Sequence, residues 1–153
     1  MAGGSLSESS DVRVRRAARL LVLDPENRLL LFRFTFANRP AFWGTVGGEC
    51  EHGEDWGDAA RRELFEETGL CADPGPIVHE RRNRFVTALG ETVLSDERYF
   101  RVDTPTFDPD ISGHTDLERQ IMRTCRWFTR PELADWPEPI FPPELPTLLD
   151  LPR

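Results

Sequence analysis

Residues 48–70 read GECEHGEDWGDAARRELFEETGL, and this stretch decides the fold. Asp55 to Thr68 carries the marks of one helix: Asp55 and Asp58 lie in the first turn, strong helix formers fill the middle, and Gly69 follows as a stop. Within it Glu63, Glu66 and Glu67 stand at i, i+3 and i+4, which at ~100° per residue puts three carboxylates on one arc. Like charges so spaced cost a helix a few tenths of a kcal/mol per pair, and Arg61 and Arg62 offset only part of that. Solvent or a cation must supply the rest. A solvated acidic face is the plain reading. The preceding segment points to a cation, because Gly47, Gly48 and Gly53 let backbone groups approach whatever the carboxylates hold. Hard divalent ions such as Mg²⁺ bind one or two carboxylates together with phosphate oxygens. The pattern predicts a metal-phosphate site. Ala59 and Ala60, one turn earlier, leave room for the loop, and Leu64 and Phe65 point away from Glu63 and are expected to serve the core.

The same residues fill a family pattern. Gly48, Glu54, Arg62, Glu63, Leu64, Glu66, Glu67, Gly69 and Leu70 occupy every specified position of G-x5-E-x7-R-E-U-x-E-E-x-G-U, with U a bulky aliphatic residue and no gap. The chain therefore resembles the Nudix hydrolases, of MutT-like type, and does so in outline over about residues 12–135. The resemblance implies an α/β protein with the Nudix fold, an α/β/α sandwich around a mixed β-sheet. It also implies hydrolysis of a diphosphate linked to another moiety, with Mg²⁺ or Mn²⁺ as cofactor. Carried over by residue, Glu63, Glu66 and Glu67 would ligate the metal, with the Gly47 carbonyl as a further ligand. Glu54 would bind metal or brace the loop, and Arg62 would orient the glutamates. The general base varies within the family. Outside the box, the candidates are Glu97, leading into a strand, and Glu118, in a loop expected over Asp108 to Gln120. One departure is that the family often has proline where this chain has Val46.

Working outward, Arg13 to Leu23 and Arg28 to Phe34 read as two apolar strands around an Asp24-Pro25-Glu26-Asn27 turn. Thr35 to Gly53, rich in glycine and aromatics, reads as a structured loop. Ile77 to Leu89, Thr92 to Val102 and Met122 to Phe128 are strand candidates, and Pro131 opens a short helix. Six prolines after Trp136 exclude a long helix there. Residues 1–10 are small and polar and read as a floppy leader, leaving 11–153 as one domain with a Pro-rich tail.

Arg82 and Arg84 share a strand face on which guanidinium could hold phosphate, and Arg33 has a similar claim. Trp43, directly before the glycine loop, could stack on a base. Each has a plain alternative, an exposed strand edge for the arginines and core packing for the tryptophan.

The 153 residues are 39% hydrophobic and 30% charged, which excludes a membrane-protein composition and, with 10 Phe and 4 Trp, a disordered polyanion. A net charge of −8 argues against a nucleic-acid polymer as partner. Cys50, Cys71 and Cys125 lack C-x-x-C spacing, which points away from a disulfide framework and toward the cytoplasm. No targeting segment is read, since Arg19 and Asp24 interrupt the most apolar N-terminal stretch. The expected partner is a small nucleotide or diphosphate substrate, with no membrane, and the protein a monomer or homodimer. The alternative is a non-catalytic nucleotide-sensing or protein-binding module on the same fold, which would be expected to have lost box carboxylates. This chain has lost none.

Overall fold

The computed structural model describes residues 12–150. Strands β1 (Arg13–Leu23), β2 (Leu29–Phe34), β3 (Phe42–Glu49), β4 (His79–Val86), β5 (Thr92–Asp103), β6 (Thr124–Phe128) and β7 (Ile140–Phe141) form one mixed sheet. Helices α1 (Trp56–Thr68), α2 (Asp116–Ile121), α3 (Arg130–Ala134) and α4 (Leu145–Leu149) flank it. The sheet order is β4-β5-β1-β2-β3-β7, with β6 on β2. β1 runs parallel to β5 from Arg13↔Val93 to Leu23↔Asp103, and also meets β3 antiparallel over Ala17–Leu20. The strand thus joins two half-sheets.

Alternation along β1 and β2 divides the core in two, because successive side chains leave opposite faces of a strand. Ala18, Leu20, Val22, Leu30 and Phe32 meet Ala59, Ala60 and Leu64 of α1 on one face. Leu21, Leu23, Leu29 and Leu31 meet Trp43, Tyr99, Phe128 and the α4 leucines on the other. This is the α/β layering expected, with helices on both faces of a mixed sheet. No helix among the described residues is long and apolar enough to cross a membrane.

Four local expectations need correction. The stretch 35–53 is not all loop, since Phe42–Glu49 is a ladder strand whose Val46 sits fully buried opposite Leu20. Its glycines mask the alternating FWGTV signal. The stretch 108–120 is not all loop either: Thr115 caps α2, accepting from Glu118 N–H while the Glu118 carboxylate accepts from Thr115 N–H. That capping box is legible as T-x-x-E. Phe65 is 55% exposed, because the arc facing the sheet is already filled by Ala60, Leu64 and Glu67. The strand candidates at 77–89 and 122–128 are shorter than read, by two or three residues at the ends. The leader at 1–10 lies outside the described residues.

Candidate active site

α1 starts where Asp55 accepts from Asp58 N–H at 2.8 Å and ends where the Gly69 N–H donates to Phe65 O at 2.8 Å. Between these caps it directs Glu63 and Glu67 inward, 6% and 1% exposed. The glycine pair explains how two carboxylates can lie against a strand. A Cβ on Gly48 would stand 2.8 Å from the Glu63 carboxylate, and one on Gly47, at φ +136°, would stand 2.1 Å from Ala18 O. The Gly47 N–H then donates to Glu67 Oε1 at 2.9 Å.

Glu118 of α2 completes the group, with one oxygen each from Glu63, Glu67 and Glu118 within 4.8 Å of one another. Burial pushes Glu63 up to about 7 against the pull of Arg62, and pushes Glu67 well above the usual carboxylate range with help from Glu63. Buried, mutually repelling oxygens suit a hard divalent cation. Glu63 Oε2 fits that reading, being buried with no hydrogen-bond partner among the described residues.

Arg62 is the clamp. Its Nη1 donates to Glu63 Oε1 and Glu66 Oε1, both at 2.9 Å, while Nε and Nη2 hold the two Glu54 oxygens at 2.9 Å. Nη2 also reaches Glu49 O at 3.0 Å, so the helix is tied to the end of β3. Arg62 holds the Glu54 carboxyl below its usual range, and Glu54 also accepts from Glu51 N–H at 2.9 Å. Glu54 therefore braces the loop. Glu66, 42% exposed at its side chain, lies on the outer side of Arg62 and outside the three-oxygen group. Gly47 meets the site through its N–H, while its carbonyl accepts from Arg19 Nη1 at 3.3 Å.

Other expected site residues separate. Glu97 is buried between Arg81 (3.3 Å), Arg19 (3.6 Å) and the Tyr99 hydroxyl, which donates to it at 3.1 Å. It borders the same cavity as the acidic group without joining the group. Arg82 faces solvent beside Asp96, and Arg84 borders the cavity from the exposed face of β4. The inward residues of β4 are Arg81, Asn83 and Phe85, one register off the pair expected. Trp43 and Arg33 do not reach the site. Trp43 is 4% exposed in the second core cluster against Phe128 and Trp136, and its Nε1 donates to Glu138 at 2.8 Å. Arg33, its cross-strand partner, grips the same Glu138 at 2.6 Å.

The cavity occupies about 790 Å³, within the range of small-molecule sites, and runs from the acidic group past Arg19 and Arg81 to Arg15 and Phe85. Sequence reading missed Arg15, Arg19, Asn83 and buried His114, whose Nε2 lies 3.0 Å from Glu67 O. A period-2 reading of β1 could have found the first two. Asn83 depended on the β4 register, and His114 gave no local signal.

Known proteins resemble this chain in sequence and in fold. The family model described as NUDIX domain matches residues 13–150, and the chain belongs to that family. It is 32% identical over 122 residues to the oxidized purine nucleoside triphosphate hydrolase of Mus musculus, covering 78% of this chain and 70% of that protein. The protein of the same name from Danio rerio is 40% identical over 67 residues, 44% of this chain; the match spans less than half, 41%, of that relative's length. Among solved structures, the MutT protein of Methanosarcina mazei Go1 superposes with a TM-score of 0.67 at 17% identity, over 84% of this chain and 87% of that one, a likeness of fold.

Proposed function

We propose that the protein is a metal-dependent Nudix pyrophosphohydrolase that cleaves a diphosphate bond in a nucleoside di- or triphosphate or a derivative. The single observation that carries this reading is the convergence of Glu63, Glu67 and Glu118 within 4.8 Å, with the buried Glu63 Oε2 unpartnered among the described residues, at one end of a nucleotide-sized cavity. The names of the mouse and zebrafish relatives make oxidized purine nucleoside triphosphates the first substrates to try.

Glu63, Glu67 and Glu118 would hold Mg²⁺ or Mn²⁺. When bound, the ion neutralises phosphate oxygens and lowers the pKa of an attacking water. The Gly47 N–H fixes the Glu67 carboxylate, and Arg62 fixes Glu63, so neither ligand must be ordered when substrate arrives. Glu118 commits one oxygen to Thr115 N–H at 2.9 Å, which leaves the other for the ion. Arg19 and Arg81, anchored on Glu97, offer positive charge along the cavity toward a phosphate chain.

The test is a panel of nucleotides with Mg²⁺ or Mn²⁺, with and without excess EDTA, and products identified by mass. Metal-dependent appearance of a nucleoside monophosphate is expected. Hydrolysis undiminished by EDTA would refute the metal role.

A further inference from the structure

The register of β1, β5 and β4 places Arg15, Ser95 and Asn83 in one row across three adjacent strands. Paired residues share a face, and both Arg15 and Asn83 border the cavity. Each leaves one buried polar atom without a hydrogen-bond partner among the described residues, Arg15 Nη1 and Asn83 Oδ1. Such orphans are rare in folded proteins and costly to keep. The two are complementary, one a donor and the other an acceptor.

The rest of each side chain is engaged. Arg15 Nε lies 3.4 Å from Glu49 Oε1, and Asn83 Nδ2 donates to Arg84 O at 3.1 Å. Both free atoms are therefore held in place rather than waving. Ser95, small and with its hydroxyl 3.5 Å from Glu97, leaves room between them. An aromatic wall adjoins the row: the Arg15 guanidinium stands 5.9 Å from the Phe85 ring centroid, and Phe36 meets Phe85 edge-on at 6.1 Å. Arg15 lies four residues along β1 from Arg19, which contacts Gly47 beside the acidic group. At ~3.3 Å per residue the row is about 13 Å from that end, the reach of a diphosphate and a sugar.

We propose that Arg15 and Asn83 read the edge of the substrate's base, selecting a planar ring that presents a carbonyl oxygen beside a ring N–H over one that presents an amino group beside a ring nitrogen. The inference rests on the nucleotide reading above and adds the base class. A guanidinium pairs best with a carbonyl oxygen, as arginine does with guanine O6, and the Asn83 oxygen takes the neighbouring N–H. With the six-position of the ring held at Arg15, an amino edge brings its own donor up to the cation and leaves a buried donor unpaired, which is how a site built to hydrogen-bond rejects an analogue.

The experiment compares inosine and adenosine nucleotides, which differ only at this edge. Hydrolysis of ITP and ATP with Mg²⁺ gives kcat/KM, and calorimetry of IMP and AMP gives binding without chemistry. Wild-type protein is expected to favour the inosine form at least ~10-fold in both, as one good bidentate contact supplies. Arg15→Met and Asn83→Leu, made separately, should each cut that preference to under about threefold. Each should also keep or raise Tm, because an orphaned buried atom is removed. If ATP and ITP are cleaved equally, or if both variants keep the preference, the base-reading pair is overturned while the hydrolase reading stands. If no nucleotide is cleaved, the hydrolase reading fails. The IMP-over-AMP binding ratio and its loss in Arg15→Met then decide the pair alone, and equal binding overturns it.

Discussion

Two charged constellations sit on opposite faces of the same sheet, and they are built on opposite terms. On the α4 side, Glu138 accepts from Arg33 and from Trp43 Nε1, and these bonds hold its carboxyl down at about 2. On the α1 side, Glu63 and Glu67 face each other and Glu118, one oxygen has no partner among the described residues, and burial drives both α1 carboxylates upward. The first group is complete as it stands and needs nothing further. The second is costly until something positive arrives. Satisfied charge marks architecture, and unsatisfied charge marks a place prepared for a ligand. Both regions drew attention in the sequence as cations, aromatics or carboxylates near a glycine loop, and only their pairing separates them.

The largest effect that sharpens this contrast is Trp43→Ala, which should cost ~3 to 5 kcal/mol of stability by opening a hole against Phe128 and Trp136. Denaturant melts would read the loss, and KM in the folded fraction should stay at the wild-type value. On the other face, Glu67→Gln should lower kcat by at least ~10²-fold, about 2.7 kcal/mol of transition-state stabilisation, while the metal-free protein melts no lower than wild type. Glu66→Gln, outside the three-oxygen group, should cost under about tenfold. Equal losses at Glu66 and Glu67 would dissolve the distinction drawn between them.

The two faces should also answer pH with opposite sign. Glu138, lowered from its ordinary 4.5 to about 2, contributes stability above 4.5 that is lost as pH falls toward 2. Glu63, raised from 4.5 to about 7, keeps a proton in the folded state that the unfolded chain has released. Its contribution is therefore full below 4.5 and is lost as pH rises through about 7. In EDTA, Glu63→Gln should flatten the fall in Tm between pH 5 and 8, and Glu138→Gln should flatten the acid limb, each by a few degrees. Saturating Mg²⁺ at pH 8 should restore the wild-type Tm. A Glu63→Gln melt parallel to wild type across the neutral range would contradict this account of the α1 carboxylates.

What the sequence made legible was whatever is encoded locally. The helix, its Gly69 stop and the shared arc of its glutamates follow from spacing within one helix, and the orienting role of Arg62 came with the family resemblance. Residues whose role depends on pairing between distant segments were not legible. Arg33 and Trp43 were drawn to the site because they neighbour it along the chain. Strand alternation turns them to the far face, where Glu138, more than 90 residues later, receives them. Arg81 rather than Arg82 faces the cavity because the register with β5 pairs it with Glu97. A one-residue choice of that kind has no signal in a strand that alternates charge on both faces. Val46, the departure from the family pattern, is also clarified: it is a buried ladder residue opposite Leu20, a place suited to a β-branched side chain.

The smallest effect is the one most easily mistaken. Read along the chain, Arg33→Ala should raise KM several-fold, since the strand carrying it leads to the glycine loop. In the fold its Nε and Nη2 are committed to Glu138, on the face opposite α1. The substitution should therefore leave KM and kcat within about twofold of wild type. Its cost should appear as a modestly lower Tm, because Glu138 keeps only the Trp43 donor of the pair. Arg33→Lys, which retains the charge but not the two-pronged grip, should recover part of that Tm and change the kinetics no further. A several-fold rise in KM for Arg33→Ala at unchanged Tm would place substrate against Arg33 and Glu138 and reverse the roles assigned to the two constellations.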